Sequence, residues 1–194
     1  MSKAFENKNS DGQSLVPVIN IMLGENLVGA EVGVFRAHTF CTLLSCCPSI
    51  ETLYGIDSYK PYDDCIVFGP YTGEPAYSVN ADQIASIREA ALRNIQSLRP
   101  TERDKAVLIE EDSTVALSSF LDDSLDFVFI DTYMTREQAA QDLEQWYPKV
   151  KKDGLFSGHD WTGQVIREEV NAFRVRHNIT EKLCTFDNTW MWIK

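Results

Sequence analysis

The sequence contains one stretch, Val28-Gly29-Ala30-Glu31-Val32-Gly33-Val34-Phe35-Arg36-Ala37-His38-Thr39, in which an apolar run carries one acid and then breaks into a turn of small residues. The apolar residues 40–47 follow this turn and predict a helix. A buried strand, a tight turn and a helix N-terminus, in this order, are typical of proteins that hold a nucleotide-like ligand. We therefore interpret residues 27–35 as the first strand of a sheet with a ligand site at its carboxyl end.

The rest of the chain alternates apolar runs with segments of helical periodicity. The predicted strands are residues 52–56, 106–109, 125–130 and 154–157, and the predicted helices are 14–23, 81–98, 113–121, 135–147 and 164–176. Residues 182–186 and 189–193 predict a hairpin with Asp187-Asn188 at its bend. Strands that are apolar on both faces indicate a parallel sheet covered by helices on both sides. This pattern predicts an α/β, Rossmann-like, doubly wound fold, with residues 1–12 as a flexible tail and residues 13–194 as a single domain.

The composition excludes several classes of partner. The formal net charge is −11 and no run of lysines and arginines offsets it, so we expect neither a nucleic acid nor an anionic membrane as partner. The polar N-terminus does not resemble a signal peptide, and no apolar run approaches membrane-spanning length. The five cysteines show no CxxC spacing, which is typical of a reducing cytoplasm. The expectation is a cytoplasmic protein with a small-molecule substrate, which could form a homodimer.

Acids follow the predicted parallel strands at the points where the strands end. In an open parallel sheet these positions share one edge, where ligands bind. Asp57 follows the second strand, where a carboxylate suits ribose hydroxyls. Asp112 has two interpretations of equal weight, a ligand contact and the N-cap of the helix that starts at Ser113. The other candidates at this edge are Glu31, Gly33, Asp131, His159 and Asp160.

Residues 58–78 form a long connection rich in Tyr, Pro, Gly and Asp, without a pattern of its own. Such connections are usually functional or mobile. Its tyrosines, with Asp63 and Asp64 beside them, could receive a sugar-like or cationic acceptor, or could simply pack against one another.

Taken together, these segments resemble a known enzyme family. Glu31 to Thr39 is similar to motif I of the class I S-adenosylmethionine-dependent methyltransferases, and Leu53-Tyr54-Gly55-Ile56-Asp57 resembles their second, acidic strand. Residues 126–131 and 155–161 resemble a compact subgroup that includes O-methyltransferases acting on sugars, macrolides and other small molecules. The resemblance extends over residues 28–193 and implies a seven-stranded sheet, mostly parallel, with an antiparallel strand from the C-terminal hairpin.

The resemblance also implies a cofactor site. Asp57 would bind the ribose hydroxyls, and Asp112 and Ser113 would lie near the adenine, whose amino group donates to such an acceptor. Asp131 would face the sulfonium and the substrate. The methionine and ribose part would be held by Glu31, Gly33 and the backbone of Ala37. Ala37 stands where the family has a second glycine; alanine permits a close approach but is not expected to adopt a positive φ.

The catalytic residues are less well defined. The subgroup often has Asp-Gly-x-His after the fourth strand, whereas this chain has Asp131-Thr132-Tyr133-Met134 and lacks that histidine. In metal-dependent relatives, acids after the fourth and fifth strands hold Mg²⁺, and Asp131 and Asp160 match them. Without a metal, His159 is the natural general base, although it could equally be a residue that only bonds backbone at the strand end.

The resulting hypothesis is methyl transfer from S-adenosylmethionine to a small-molecule acceptor at a hydroxyl oxygen. One alternative is a cofactor-binding or scaffold module without turnover, which the missing histidine favours. Another is a nicotinamide-dependent oxidoreductase, which predicts G-x-G-x-x-G where this turn has only Gly33 and then Ala37.

Overall fold

The computed structural model describes residues 12–22, 24–65, 77–132 and 135–194. The strands are β1 (Leu27–Val32), β2 (Ile50–Ile56), β3 (Tyr62–Cys65), β4 (Tyr77–Val79), β5 (Ala106–Ile109), β6 (Leu125–Ile130), β7 (Val150–Gly158), β8 (Cys184–Phe186) and β9 (Thr189–Ile193). The helices are α1 (Leu15–Met22), α2 (His38–Cys46), α3 (Ala81–Ser97), α4 (Pro100–Arg103), α5 (Ser113–Ala116), α6 (Arg136–Trp146) and α7 (Gln164–Arg176).

The main sheet has seven strands in the order β5-β2-β1-β6-β7-β9-β8. Strands β5, β2, β1, β6 and β7 are parallel to one another, whereas β9 is antiparallel to both β7 and β8. The order reverses between β1 and β6, so a crevice opens beyond the carboxyl ends of these two strands. The predicted doubly wound sheet with an antiparallel C-terminal hairpin strand is confirmed.

The sheet is covered on both faces, as the continuous apolar strands predicted. Phe127 and Phe129 of β6 belong to the buried cluster that also contains residues of α1, α2 and α3. Val128 and Ile130 of the same strand belong to the cluster on the opposite face, which contains residues of α5, α6 and α7. Alternate residues enter opposite clusters because successive side chains of a strand point to opposite faces. A strand in this position therefore needs apolar residues along its whole length.

Two helices begin at an N-cap side chain, α3 at Asn80 and α6 at Thr135. The Asn80 side chain accepts from the backbone N–H of Gln83 (2.9 Å). The side-chain oxygen of Gln83 accepts in turn from the backbone N–H of Asn80, which completes a capping box for α3. Thr135 accepts from the N–H of Gln138 (3.2 Å) at the start of α6. Here the capping box is incomplete among the described residues, and the Gln138 side-chain amide instead donates to Asp142 and Ser113.

The structure corrects several predicted boundaries. Strand β7 begins at Val150 rather than 154, and the predicted helix 113–121 is only the short α5 followed by a 3₁₀ turn, Leu117–Ser119. The connection 58–78 is not wholly irregular, because β3 and β4 pair within it as a small antiparallel sheet. Residues 1–11 of the predicted tail and residues 66–76 of this connection lie outside the described residues. None of the described helices is long and apolar enough to span a membrane.

The turn after β1 brings two neighbouring strands into close backbone contact. Gly33 N–H donates to the Ile56 carbonyl (2.8 Å), and Asp131 N–H donates to the Val32 carbonyl (2.7 Å). Gly33 has φ +91°, and a Cβ placed on it would lie 2.2 Å from the backbone oxygen of Asp131. Backbone oxygen cannot move aside as a flexible side chain can. Only glycine therefore fits at this position.

Gly33→Ala is expected to lower the free energy of unfolding by about 3 kcal/mol or more, because backbone strain and a backbone clash combine. Gly24→Ala is the matched control: Gly24 has a similar φ of +88°, but nothing lies within 4 Å of its added Cβ. Strain alone predicts a loss of about 1 kcal/mol there. Urea denaturation of both variants measures the difference. Equal losses would contradict the close approach at Gly33.

Candidate active site

The polar residues predicted at the carboxyl edge do lie at the ends of the parallel strands. Backbone hydrogen bonds extend the sheet past β2 and β7: Asp57 N–H donates to the Ile109 carbonyl (3.1 Å), and His159 N–H donates to the Ile130 carbonyl (2.9 Å). These bonds fix where the side chains of Asp57 and His159 leave the sheet. One group of contacts surrounds Asp57, and another surrounds His159.

The turn after β1 contains two non-glycine residues with left-handed backbone. Phe35 has φ +51°, and Ala37, directly before α2, has φ +60°. The expectation that Ala37 would not adopt a positive φ is therefore wrong. Its N–H donates to the Val34 carbonyl (2.8 Å) and its carbonyl accepts from Cys41 N–H (3.1 Å), so local bonds of the turn and of α2 offset a penalty of about 1 kcal/mol. Strained backbone of this kind clusters at ligand sites.

The carboxylate of Asp57 holds this turn in place. Its Oδ2 accepts from the backbone N–H groups of Phe35 (2.8 Å) and Val34 (3.1 Å), and its Oδ1 accepts from Tyr59 N–H (2.8 Å). The Tyr59 hydroxyl in turn donates to the Phe35 carbonyl (3.1 Å). Burial raises the pKa of Asp57, and the three backbone N–H donors oppose that shift. A carboxylate offers about four acceptor positions, so one remains for a ribose hydroxyl.

Glu31 is the acid inside the first strand. Its side chain is buried, with only 1% of the residue exposed, and in register it lies between Gly55 of β2 and Phe129 of β6. The space where a Gly55 side chain would lie is filled by Val34 and Phe40. The position agrees with the predicted place beside the cofactor turn, and its contact with a ligand stays a prediction.

Asp112 and Ser113 are placed by the start of α5. The Asp112 Oδ1 accepts from Thr114 N–H (3.0 Å) and from the Thr114 hydroxyl (2.7 Å), so the N-cap interpretation describes its contacts in the structure. The Ser113 hydroxyl donates to Asp142 Oδ1 (2.8 Å). The proximity of both residues to an adenine stays a prediction.

Asp142 is a polar residue at this edge that sequence reasoning missed. It lies in α6 with none of its surface exposed, and its Oδ2 accepts from the Thr132 hydroxyl (2.8 Å). Its Oδ1 accepts from Ser113 Oγ and from Gln138 Nε2 (3.0 Å). Burial raises the pKa of Asp142, while these three donors lower it. The available signal was an acid one helical turn from Ala139 and next to Leu143, both of which are buried.

The second group consists of Asp131, His159 and Asp160. His159 Nδ1 lies 3.1 Å from Asp160 Oδ1 and 3.5 Å from Asp131 Oδ1, and all three side chains are mostly buried. One ligand atom from each lies within 4.8 Å of the others. The imidazole also contacts the ring of Phe129 edge-on (centroids 6.4 Å apart). The backbone of His159 bonds to the sheet as one interpretation expected, but its ring faces the two carboxylates.

The C-terminal hairpin orients Asp160. Asp160 has φ +58°, and its Oδ1 accepts from the side-chain amide of Asn188 (3.0 Å). Asn188 also accepts from Thr162 N–H (2.8 Å) and hydroxyl (2.6 Å) through its Oδ1. The bend predicted at Asp187-Asn188 therefore also positions an acid of the site.

This group can do two kinds of chemistry. An imidazole beside carboxylates can accept a proton, because the carboxylates stabilise the imidazolium that forms. Two carboxylates and one imidazole can also hold a divalent cation, although the nitrogen donor suits Mn²⁺, Fe²⁺ or Zn²⁺ better than Mg²⁺. Tyr133 and Met134, where the expected histidine is missing, lie outside the described residues.

A seven-stranded sheet with its last strand antiparallel, together with an acidic carboxyl edge next to a strained turn, defines a class I methyltransferase fold. The family model described as "Methyltransferase domain" matches residues 30–161, and the chain belongs to this family. It is thus an S-adenosylmethionine-dependent methyltransferase by family, as the resemblance of its motifs indicated. This membership favours methyl transfer over the nicotinamide-dependent alternative. A comparison with curated proteins finds no significant match.

Solved structures share the fold at low sequence identity. The O-methyltransferase NovP is 18% identical, with a TM-score of 0.64 over 92% of this chain and 78% of NovP. A putative rRNA-methylase from Clostridium thermocellum is 16% identical, with a TM-score of 0.64 over 97% of each chain. The calicheamicin methyltransferase CalS11 is 14% identical, with a TM-score of 0.59 over 93% of this chain and 76% of CalS11. Identities this low show the common fold and leave the acceptor open.

Asp142→Asn tests the buried carboxyl through the pH dependence of stability. Because burial raises its pKa in the folded state, the wild-type protein loses stability as pH rises from about the ordinary value of 3.8 through the raised pKa. The asparagine does not titrate, so the variant should gain stability relative to wild type between pH 4 and pH 7. Urea denaturation at several pH values measures the difference, with the exposed Asp153→Asn as control. A relative loss with rising pH would contradict the raised pKa.

Proposed function

We propose that this protein transfers a methyl group from S-adenosylmethionine to a hydroxyl oxygen of a small molecule. The observation that carries the proposal is the His159 ring, whose Nδ1 faces the carboxylates of Asp131 and Asp160 at the carboxyl edge of the sheet. The cofactor, when bound, supplies an electrophilic methyl group on a positively charged sulfur. The protein then has to hold the acceptor oxygen in line with that methyl group and remove its proton.

The turn after β1 fits the methionine end of the cofactor. Gly33 lets the turn approach the backbone of Asp131 closely, and the left-handed Ala37 starts α2, whose N-terminal N–H groups favour a carboxylate. The predicted contacts of Glu31, Gly33 and the Ala37 backbone are compatible with this geometry. Asp57 keeps one acceptor position for a ribose hydroxyl, and Asp112 and Ser113 are proposed to meet the adenine.

His159 is proposed as the general base. Its Nδ1 faces the carboxylates of Asp160 and Asp131, and this arrangement stabilises the ring after it takes the acceptor proton. The acidic surroundings also agree with the net charge of −11 and favour a neutral or cationic acceptor. This charge argues against an RNA acceptor, although one structural neighbour is described as a putative rRNA-methylase.

A metal-dependent reaction is the second candidate, favoured by the 4.8 Å cluster of donor atoms from Asp131, His159 and Asp160. The predicted Mg²⁺ site used Asp131 and Asp160 alone. In the structure the imidazole nitrogen lies next to both carboxylates, and this mixed donor set fits Mg²⁺ only in part. Without turnover, the same fold would serve as a cofactor-binding module. A cytoplasmic location and a homodimer remain predictions from the sequence.

Cofactor binding is tested by isothermal titration with S-adenosylhomocysteine. The wild-type protein should bind it, and Asp57→Asn should weaken binding about tenfold or more, because an acceptor for the ribose and a support of the turn are both lost. Asp126→Asn is the matched control: Asp126 also accepts from a backbone N–H, that of Val28 (2.8 Å), but near the start of β6 at the opposite edge. No binding at millimolar ligand would refute the cofactor assignment.

Turnover assays distinguish an enzyme from a cofactor-binding module. They also distinguish general-base catalysis by His159 from a metal-dependent reaction. With a panel of phenols, catechols and hydroxylated sugars, the protein should convert S-adenosylmethionine to S-adenosylhomocysteine. His159→Gln should lower kcat by about 10²-fold or more and leave S-adenosylhomocysteine affinity within about twofold. EDTA should not abolish activity if His159 is the base. Loss of activity in EDTA, restored by Mn²⁺ or Mg²⁺, would favour the metal candidate instead.

A further inference from the structure

Asp142 is a buried acid that the proposed reaction does not use. Its residue surface is fully buried, and its hydrogen-bond partners are the hydroxyls of Ser113 and Thr132 and the amide of Gln138. Within the described ranges, no cationic side chain forms an ion pair with it. A buried carboxyl without a cation is costly unless every oxygen finds donors. Both of its oxygens do, and the donors come from three separate segments of the carboxyl edge.

These contacts fix the direction of the Ser113 hydroxyl. Ser113 Oγ lies 2.8 Å from Asp142 Oδ1, and its single proton is used in that bond. Gln138 Nε2 lies 3.3 Å from Ser113 Oγ and 3.0 Å from Asp142 Oδ1, so it donates toward the same pair. Two neighbouring groups thus keep the proton of Ser113 on the side of Asp142. The remaining lone pair of the partly exposed Ser113 can then only accept a hydrogen bond.

We infer that Asp142 is a positioning residue that makes Ser113 a fixed acceptor and thereby selects a base with an amino group over one with a carbonyl. This inference rests on the proposed placement of the cofactor base at Ser113. Adenine carries an amino group at its six position and donates there, whereas hypoxanthine carries a carbonyl at the same place. If hypoxanthine were bound, its carbonyl oxygen and the Ser113 oxygen would face each other with no proton between them. This repulsion disfavours hypoxanthine at the site.

The Thr132 bond gives Asp142 a second point of attachment. Its Oδ2 accepts from the Thr132 hydroxyl, so the carboxyl cannot rotate away from Ser113 without losing that bond. Asparagine at position 142 could keep its carbonyl oxygen toward Ser113 and Gln138 and turn its amide toward the Thr132 oxygen, which can accept. Alanine would leave the Ser113 hydroxyl free to turn outward as a donor. These two variants therefore separate the acceptor function from the charge.

The experiment compares the affinities of S-adenosylhomocysteine and its deaminated analogue, S-inosylhomocysteine, by isothermal titration. The wild-type protein should prefer the adenine ligand. Asp142→Ala should lower the ratio of the two affinities about tenfold, whereas Asp142→Asn should preserve it. Ser113→Ala should lower the ratio to a similar degree, and the double variant Ser113→Ala/Asp142→Ala should not lower it further. Thr132→Val removes the second attachment of the Asp142 carboxyl and should lower the ratio by less than Asp142→Ala does. The exposed Asp153→Asn is the control with an unchanged ratio.

The ratio of the two affinities does not change when a variant weakens the binding of both ligands equally. It therefore distinguishes a positioning role of Asp142 from a role in supporting the fold. Equal weakening of both ligands in Asp142→Ala would overturn the inference, as would an additive double variant. Asp142→Leu fills the space without an acceptor and replaces the alanine variant should that fail to fold. A wild-type protein that binds neither ligand would refute the proposed function, and one that binds both equally would refute the inference alone.

Discussion

The carboxylate of Asp57 accepts three backbone N–H groups, two from the turn after β1 and one from Tyr59. These N–H groups donate to the Asp57 side chain and not to a carbonyl of a helix or strand. A buried N–H without an acceptor destabilises the fold. With this acid in place, Phe35 and Ala37 can keep left-handed backbone, and α2 can start directly behind the strand. The turn and the crevice beyond it depend on this acceptor, whereas β1 itself is held by its pairing with β2 and β6. The same interaction explains why the acid predicted for a ribose also has a structural task.

Acids elsewhere at the carboxyl edge follow a similar logic. Asp112 caps α5, Asp142 accepts from three side chains, and Asp160 is held by Asn188. Fixed donors orient each carboxylate, so its remaining acceptor positions point in a defined direction. Preorganised groups of this kind bind and stabilise developing charge without reorganising. The edge is therefore a set of oriented acceptors around one imidazole, that of His159.

Sequence reasoning predicted the alternation and the strand ends because these depend on local periodicity along the chain. It failed at Ala37 because the turn that contains this residue is held by Asp57, which is distant in sequence, and this outweighs the intrinsic preference of alanine. It missed Asp142 because a helical acid is usually exposed, and its partners are distant in sequence except for Gln138. The strands β3 and β4 were missed for a related reason: they are short and pair only with each other.

The sequence by itself determined the fold class, the family and which residues follow each parallel strand, since all of these are encoded in order and spacing along the chain. Only the tertiary structure decided what each of those residues faces. Asp57 faces the amides of the turn, Asp112 faces its own helix, and Asp131 and Asp160 face His159. The physical reason is that spacing places a residue at an edge of the sheet, whereas, except at Asp112, groups from segments far apart in the chain decide what its side chain faces.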